Sequence, residues 1–191
     1  FDPGQHTADV LEKLGVPFES VRNVGALADA GGLLLVGEGV SFEDYPGLAD
    51  ALVQAAISGQ SVLCLAPTDG SFAVPGASDP NAVRPVRLCF RGTQVIGELD
   101  KKLDGELWPV RGNPVARDFA LTGERRLATV ECAKAGAGWP WLEAEFPGGG
   151  CVIFCGFAVV ESWETGPAPR FLLLRIFEHM ESIKQKKEKG S

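Results

Sequence analysis

The sequence has few of the residues on which metal and acid–base sites depend. Among its 191 residues are two histidines, one methionine and one tyrosine, and its five cysteines form no C-x-x-C pair. A Cys/His zinc site therefore has poor support, and we expect no metal and no cofactor. Cys64, Cys151 and Cys155 lie inside apolar runs and are expected to be buried thiols, whereas a disulfide involving Cys89 or Cys132 is left open.

Basic charge and long apolar runs are also scarce. Lys and Arg number 18 against 25 Asp and Glu, which gives a formal net charge of −7. Because nucleic-acid binding is dominated by cations that neutralise phosphates, a nucleic-acid partner is not expected. No run of 18 or more apolar residues occurs, so we expect a soluble chain that does not span a membrane, with its compartment left open. The one basic cluster, in residues 184–189, predicts a solvated helix end.

The hydrophobic pattern of the first half predicts an α/β domain. The runs at residues 32–37 and 61–66 are short, continuous and bounded by glycine or polar residues, which is typical of strands covered on both faces. Between them, residues 46–57 have the spacing of an amphipathic helix. This order predicts a βαβ crossover with parallel strands. A short helix is expected from residue 7 to residue 14, and a strand over residues 18–24.

The second half is expected to be more antiparallel. A long loop is predicted over residues 67–81, and residues 99–108 are ambiguous between helix and loop. Glycines at residues 148–150 predict a hairpin between the last two strands. The length and the 45% hydrophobic content predict one domain over residues 1–184, followed by a charged tail at 185–191. Further strands are expected at 85–90, 126–132, 141–146 and 151–157, and a closing helix at 168–183.

Two segments together resemble a known family. Residues 30–39 (AGGLLLVGEG) and 57–67 (ISGQSVLCLAP) are similar to the halves of the class I glutamine amidotransferase-like fold, and in particular to the accessory domains of that fold in bacterial glycoside hydrolases such as β-galactosidases. Residues 141–155 and 167–177 resemble the closing hairpin and final helix of those domains. The resemblance implies a flavodoxin-like three-layer sandwich with a mostly parallel sheet, whose first strand is cut short or precedes Phe1. It also implies a place in a larger, carbohydrate-processing protein.

The catalytic residues of that family are missing. Active members carry a Gly-x-Cys-x-Gly elbow, in which a sharp turn exposes the thiolate. Aligning residues 61–68 with this pattern places Ala66 at the nucleophile, whereas using Cys64 instead would leave its thiol inside a strand. No His-x-Glu pair occurs late in the chain, and His179 is expected to be a surface or capping residue of the final helix. We therefore expect a structural or interaction domain that is not an enzyme by itself.

Two alternatives follow from polar and aromatic residues near the strand ends. A small-molecule or carbohydrate-binding domain would use Glu38, Asp69, Glu161 and Trp163 at the carboxyl ends of the strands. Solvated loop charges and ordinary packing of the tryptophans are the competing interpretations. A hydrolase with a relocated site would instead need a carboxylate pair or a Cys/His pair in contact. The expected partners are other domains of the same parent protein and, under the first alternative, carbohydrate; the oligomeric state is left open. The remaining candidate carboxylates are Glu43 and Glu164, and the remaining tryptophans are Trp108, Trp139 and Trp141.

Overall fold

A computed structural model describes residues 1–73, 83–89, 92, 94–95, 113–122, 125–133 and 141–190. Within these residues, the α-helices are α1 (His6–Lys13), α2 (Leu48–Ile57) and α3 (Pro167–Gly190), and a 3₁₀ helix spans Val24–Asp29. The strands in the same part of the chain are β1 (Leu33–Val36), β2 (Ser61–Leu65), β3 (Ser71–Ala73), β4 (Arg87–Cys89), β5 (Asn113–Thr122), β6 (Arg125–Ala133), β7 (Trp141–Glu145) and β8 (Cys151–Cys155).

The main sheet has five strands in the order β1-β2-β8-β7-β4. β1 and β8 both run parallel to β2, with Val36 paired to Cys64 and Leu65 paired to Cys155. β7 returns antiparallel to β8, and β4 is antiparallel to β7. The predicted parallel crossover and the predicted hairpin are both confirmed. A second sheet of three antiparallel strands has the order β3-β6-β5.

Helices cover both faces of the main sheet, so its central strands bury side chains on each side. On one face α2 packs Leu48 and Leu52 against Val62 and Phe154. The opposite face packs α3 and one residue of α1, Val10, against the other side of the same strands. This double burial explains why β2 and β8 read as continuous apolar runs. The structure therefore has mixed α/β architecture. None of the described helices is long and apolar enough to cross a membrane.

The hairpin turn between β7 and β8 lies directly against the end of α2. A Cβ atom on Gly148 would lie 2.5 Å from the Ile57 carbonyl oxygen, and one on Gly150 would lie 2.5 Å from the Gln60 carbonyl oxygen. Both approaches leave no room for a side chain. The glycines of this turn thus let two main chains touch, which fixes the crossover helix against the hairpin.

Four predictions about local structure need correction. Residues 18–24 form no strand, because they lie exposed and irregular, and Asn23 Oδ1 instead accepts the Gly25 N–H at the start of the 3₁₀ helix. The predicted loop 67–81 contains the short strand β3, and residues 74–82 lie outside the described part. β5 was not predicted, and α3 runs seven residues beyond the expected end at 183, to Gly190. The ambiguous segment 99–108 also lies outside the described residues.

Candidate functional site

The carboxyl ends of β1, β2 and β8 lie side by side, and the loop that follows each strand begins there. These loops start at Gly37, Ala66 and Gly156 respectively. Open α/β sheets bind their ligands at this end of the strands. It is therefore the first place to test the residues expected from the sequence.

The loops after β1 and β2 are joined to each other by their backbones. The Gly39 N–H donates to the Ala66 carbonyl oxygen at 3.2 Å, and the Thr68 N–H donates to the Val40 carbonyl oxygen at 3.2 Å. The Phe42 N–H adds a third bond, of 2.9 Å, to the Asp69 carbonyl oxygen. The pairing of β1 with β2 thus continues past the strands. The backbones of the two loops are therefore held together at this end of the sheet.

Ala66, which directly follows β2, has an unusual backbone conformation. Its φ angle is 34°, in the left-handed region that residues with a Cβ atom seldom adopt. Its N–H donates to the Cys155 carbonyl oxygen at 2.6 Å, and the residue is 1% exposed. A non-glycine residue held in such a conformation costs about 1–3 kcal/mol and is found most often at functional turns. The strained position coincides with the residue that the family pattern places at the nucleophile.

Glu38 connects the loop after β1 to the loop after β8. Its Oε2 accepts the Val160 N–H at 2.6 Å, and its Oε1 accepts the Glu161 N–H at 3.1 Å. Its own N–H donates to Thr7 Oγ1 at 3.0 Å, which links the same loop to α1. Because both carboxylate oxygens accept backbone N–H groups, the side chain acts as an anion that holds a turn.

The other three expected site residues do not form one pocket with Glu38 in the described structure. Asp69 contributes its carbonyl oxygen to the loop pairing, and Glu161 is exposed but reaches Glu38 through its backbone. Trp163 is 6% exposed and packs in the apolar cluster beneath α3. The guanidinium of Arg170 lies 5.5 Å from the centre of the indole ring. Only Glu38 and Glu161 are brought together, and the faces of Trp163 are already covered.

The remaining residues proposed from the sequence are dispersed. Glu164 pairs with Arg170 at 3.3 Å and with Lys13 at 3.8 Å, and Glu43 is exposed. Trp141 is fully buried. Trp108 and Trp139 lie outside the described residues.

The thiols buried in the main sheet are unsuited to nucleophilic attack. Cys64 is fully buried inside β2, as the sequence predicts. Burial raises the pKa of Cys151 to about 11 and that of Cys155 to about 12, so neither forms a thiolate near neutral pH. Cys89 is a free thiol, and the side chain of Cys132 lies outside the described part.

A buried polar cluster was not predicted. His179 on α3 is 9% exposed, and its Nε2 lies 2.9 Å from Oε2 of Glu143 on β7, which is 1% exposed. On β4, Nη1 of Arg87 donates to Glu143 at 3.1 Å and to Glu145 at 2.5 Å. The expectation of a surface or capping histidine was therefore wrong. Its spacing from Leu172, Ile176 and Ile183 places it on the buried stripe of α3, and that signal was present in the sequence.

The electrostatics of Glu143 follow from its partners. Burial alone raises the pKa of its carboxyl group, but the contacts with His179, Glu145 and Arg87 lower it by more, so that the pKa lies below the ordinary value for glutamate. Glu143 therefore stays ionised and accepts hydrogen bonds from both sides. Among the described residues, no group of three or more His, Cys, Asp and Glu side chains could hold a metal ion.

Comparison with protein-family models, with curated proteins and with solved structures finds no match to this chain. Functional inference therefore depends on the geometry of the described residues.

Proposed function

We propose that this chain is a flavodoxin-like domain of the class I glutamine amidotransferase type that has no glutaminase activity and serves as a structural or interaction domain of a larger, carbohydrate-processing protein. The observation that carries the proposal is Ala66. A residue with a positive φ angle directly follows the second parallel strand, and it has a methyl group where a nucleophile would be needed. The carbohydrate context rests on the resemblance of residues 30–39, 57–67, 141–155 and 167–177 to the accessory domains of glycoside hydrolases.

The surroundings of Ala66 support an inert role. Acyl transfer requires an accessible nucleophile, a base that activates it, and unpaired N–H donors for the oxyanion. Ala66 is buried, and the glycine-loop N–H nearest to it, that of Gly39, already donates to the Ala66 carbonyl oxygen. The position therefore provides neither a nucleophile nor a vacant donor.

The buried pair of Glu143 and His179 does not replace the missing base. Glu143 pairs with Ile153 in the middle of β8, so it lies on the face of the sheet beneath α3. Ala66 lies beyond the end of β2. Glu143 and Glu145 are two carboxylates brought together by Arg87, but the burial of Glu143 leaves no room for a glycosidic substrate between them.

A glutaminase assay on the isolated chain tests the proposal. We expect no ammonia release from glutamine above the rate without protein. Turnover that is abolished by Cys64→Ser but retained in Cys155→Ser would overturn the proposal, because it would show that the strand thiol is a working nucleophile. Both cysteines are fully buried, which makes the second variant a matched control for packing.

Calorimetry with oligosaccharides tests the ligand-binding alternative. We expect no saturable heat, because Glu38 is engaged by backbone N–H groups and Trp163 is covered. Saturable binding that is lost in Asp69→Asn but retained in Glu43→Gln would favour a carbohydrate site at the strand ends over a structural role.

A further inference from the structure

A cavity of about 580 Å³ lies beside α1 and the first residues of the chain, next to the loop after β1, where the Gly37 N–H donates to the Phe1 carbonyl oxygen. Its walls come from the first residues of the chain, one side of α1, the extended segment 18–22, and Tyr45. Small-molecule sites have volumes of roughly 300–1,000 Å³, so the cavity is large enough for a small organic ligand. The cavity has no part in the proposed structural role, so binding of a ligand there is independent of that role.

Unpaired charges line the cavity. Asp9 and Glu12 lie three residues apart on α1 and hence on the same side of the helix. Arg22 lines the cavity from the segment 18–22. Within the part of the chain that the structure describes, none of these three side chains makes a hydrogen bond or an ion pair, in contrast to Glu164, which contacts two cations.

Aromatic rings provide the apolar part of the lining. Phe1 and Tyr45 contact each other edge to face, with ring centres 4.9 Å apart. Phe18 lines the same cavity. It is 40% exposed, whereas phenylalanine is usually buried in the core. Aromatic faces attract organic cations, and the attraction is strongest where water is partly excluded.

The sign of the charge favours a cation over an anion. Three carboxylates, those of Asp2, Asp9 and Glu12, line the cavity against the guanidinium of Arg22 and the amino terminus of Phe1, which donates to the Leu35 carbonyl oxygen and whose pKa is lowered by burial. The backbone N–H groups at the start of α1 are not available to an anion, because Asp2 Oδ2 accepts those of Thr7 and Ala8 at 2.8 Å and 2.9 Å. The second oxygen of that carboxylate, Oδ1, is buried and has no hydrogen-bond partner within the described structure.

We propose that this cavity binds a small protonated amine with an aromatic or aliphatic body, with the ammonium group held by Asp9 and Glu12 and the body packed against Phe18 and Tyr45. The carboxylates supply the charge, and the rings supply apolar contact and cation–π attraction. Arg22 disfavours a second cationic group on the far side of the ligand. A monoamine therefore fits better than a polyamine.

The test is calorimetric titration of the 191-residue chain with 2-phenylethylamine. We expect saturable one-site binding that weakens as salt is raised. The anion 3-phenylpropionate and the neutral 2-phenylethanol, which have the same ring, are expected to bind at least about tenfold more weakly. No saturable binding of the amine, or equal binding of the alcohol, would overturn the proposal.

Variants assign the binding to this cavity. The double variant Asp9→Asn/Glu12→Gln is expected to weaken binding of the amine by at least about tenfold. Glu19→Gln removes a neighbouring surface carboxylate that does not line the cavity and should leave the affinity unchanged. Phe18→Ala removes an exposed ring, so it should weaken binding while the thermal midpoint stays near that of the parent chain. Equal affinities in all four proteins would place the ligand elsewhere and refute the assignment.

Discussion

Nε2 of His179 lies 2.9 Å from the carboxylate of Glu143 in the interior of the domain, where α3 crosses β7. The two residues are 36 positions apart in sequence, and both are buried. This contact joins the last helix to the antiparallel part of the sheet, and it leads to the first two predictions.

Breaking the contact from one side should destabilise the domain strongly. His179→Leu leaves the buried Glu143 carboxylate with one hydrogen-bond partner fewer, and losses of about 1–3 kcal/mol in the free energy of unfolding are typical of such a change. Urea unfolding measures the loss. The double variant Glu143→Leu/His179→Leu should recover part of it, because an apolar pair leaves no buried charge. Glu164→Gln, which breaks exposed ion pairs, should change the free energy by no more than about 0.5 kcal/mol.

Acid should remove the contribution of Glu143. Its pKa in the folded state lies below its unfolded value, so its stabilising effect is present above about pH 4.3 and is lost as the pH falls through the folded-state pKa. Urea unfolding from about pH 6 to about pH 3 should therefore show a steeper loss of stability in the parent chain than in Glu143→Gln. Parallel pH profiles of the two proteins would contradict the direction of the shift.

The positive φ angle of Ala66 predicts that substitution by glycine will not lower the free energy of unfolding. Ala66→Gly relieves a positive φ angle, a gain of about 1 kcal/mol that offsets the lost methyl contact and the added freedom of the unfolded chain. We expect the free energy of unfolding to stay unchanged or to rise. Ala55→Gly, at a buried position inside α2, should lower it by about 1 kcal/mol or more. Equal losses in the two variants would show that residue 66 is not strained.

The hairpin turn should not tolerate side chains. In Gly150→Ala, the new Cβ would meet the carbonyl oxygens of Ala56 and Gln60, and overpacking of this kind costs about 1–3 kcal/mol. Gly166→Ala is the matched control, because a Cβ there has no neighbour within 4 Å, and it should alter stability by less than about 0.5 kcal/mol. Thermal or urea unfolding of both variants checks the difference. A stable Gly150→Ala protein would mean that the turn and α2 are further apart than described.

Thiol labelling should separate the cysteines. Iodoacetamide at mildly alkaline pH should modify Cys89, which is partly exposed on β4, well before Cys64, Cys151 and Cys155. The last two have pKa values raised to about 11 and about 12 by burial. Peptide mapping by mass spectrometry identifies the modified residue. Rapid labelling of Cys155 in the folded protein would contradict the burial described for β8.

The sequence predicted the elements whose signals are local. The runs that became β1, β2 and β8 are apolar because helices cover both faces of the sheet, and glycine marked the hairpin between β7 and β8. Residues 18–24 alternate moderately between apolar and polar side chains but form no strand, so the pattern alone predicted the wrong structure.

The candidate site was less accessible to sequence reasoning, because its contacts join distant residues. Glu38 could be placed at the end of a strand from the sequence. Its hydrogen bond from the Val160 N–H joins residues that are 122 positions apart, so that contact has no local signal. The family pattern placed Ala66 at an elbow, but the burial and the φ angle of this residue have no local signal in the sequence. His179 had a local signal in its spacing along α3, whereas its partner Glu143 could be found only from the fold.

The three backbone hydrogen bonds between the loops after β1 and β2 determine what protein engineering could achieve here. Since the three bonds join peptide groups, substitutions at Gly39, Val40 or Thr68 leave them in place unless proline removes an N–H donor. To introduce a reactive side chain at Ala66, a designer would have to lengthen one of the two loops and so break the hydrogen bonds between them. Insertions, more than point changes, are the route by which this end of the domain could acquire a reaction.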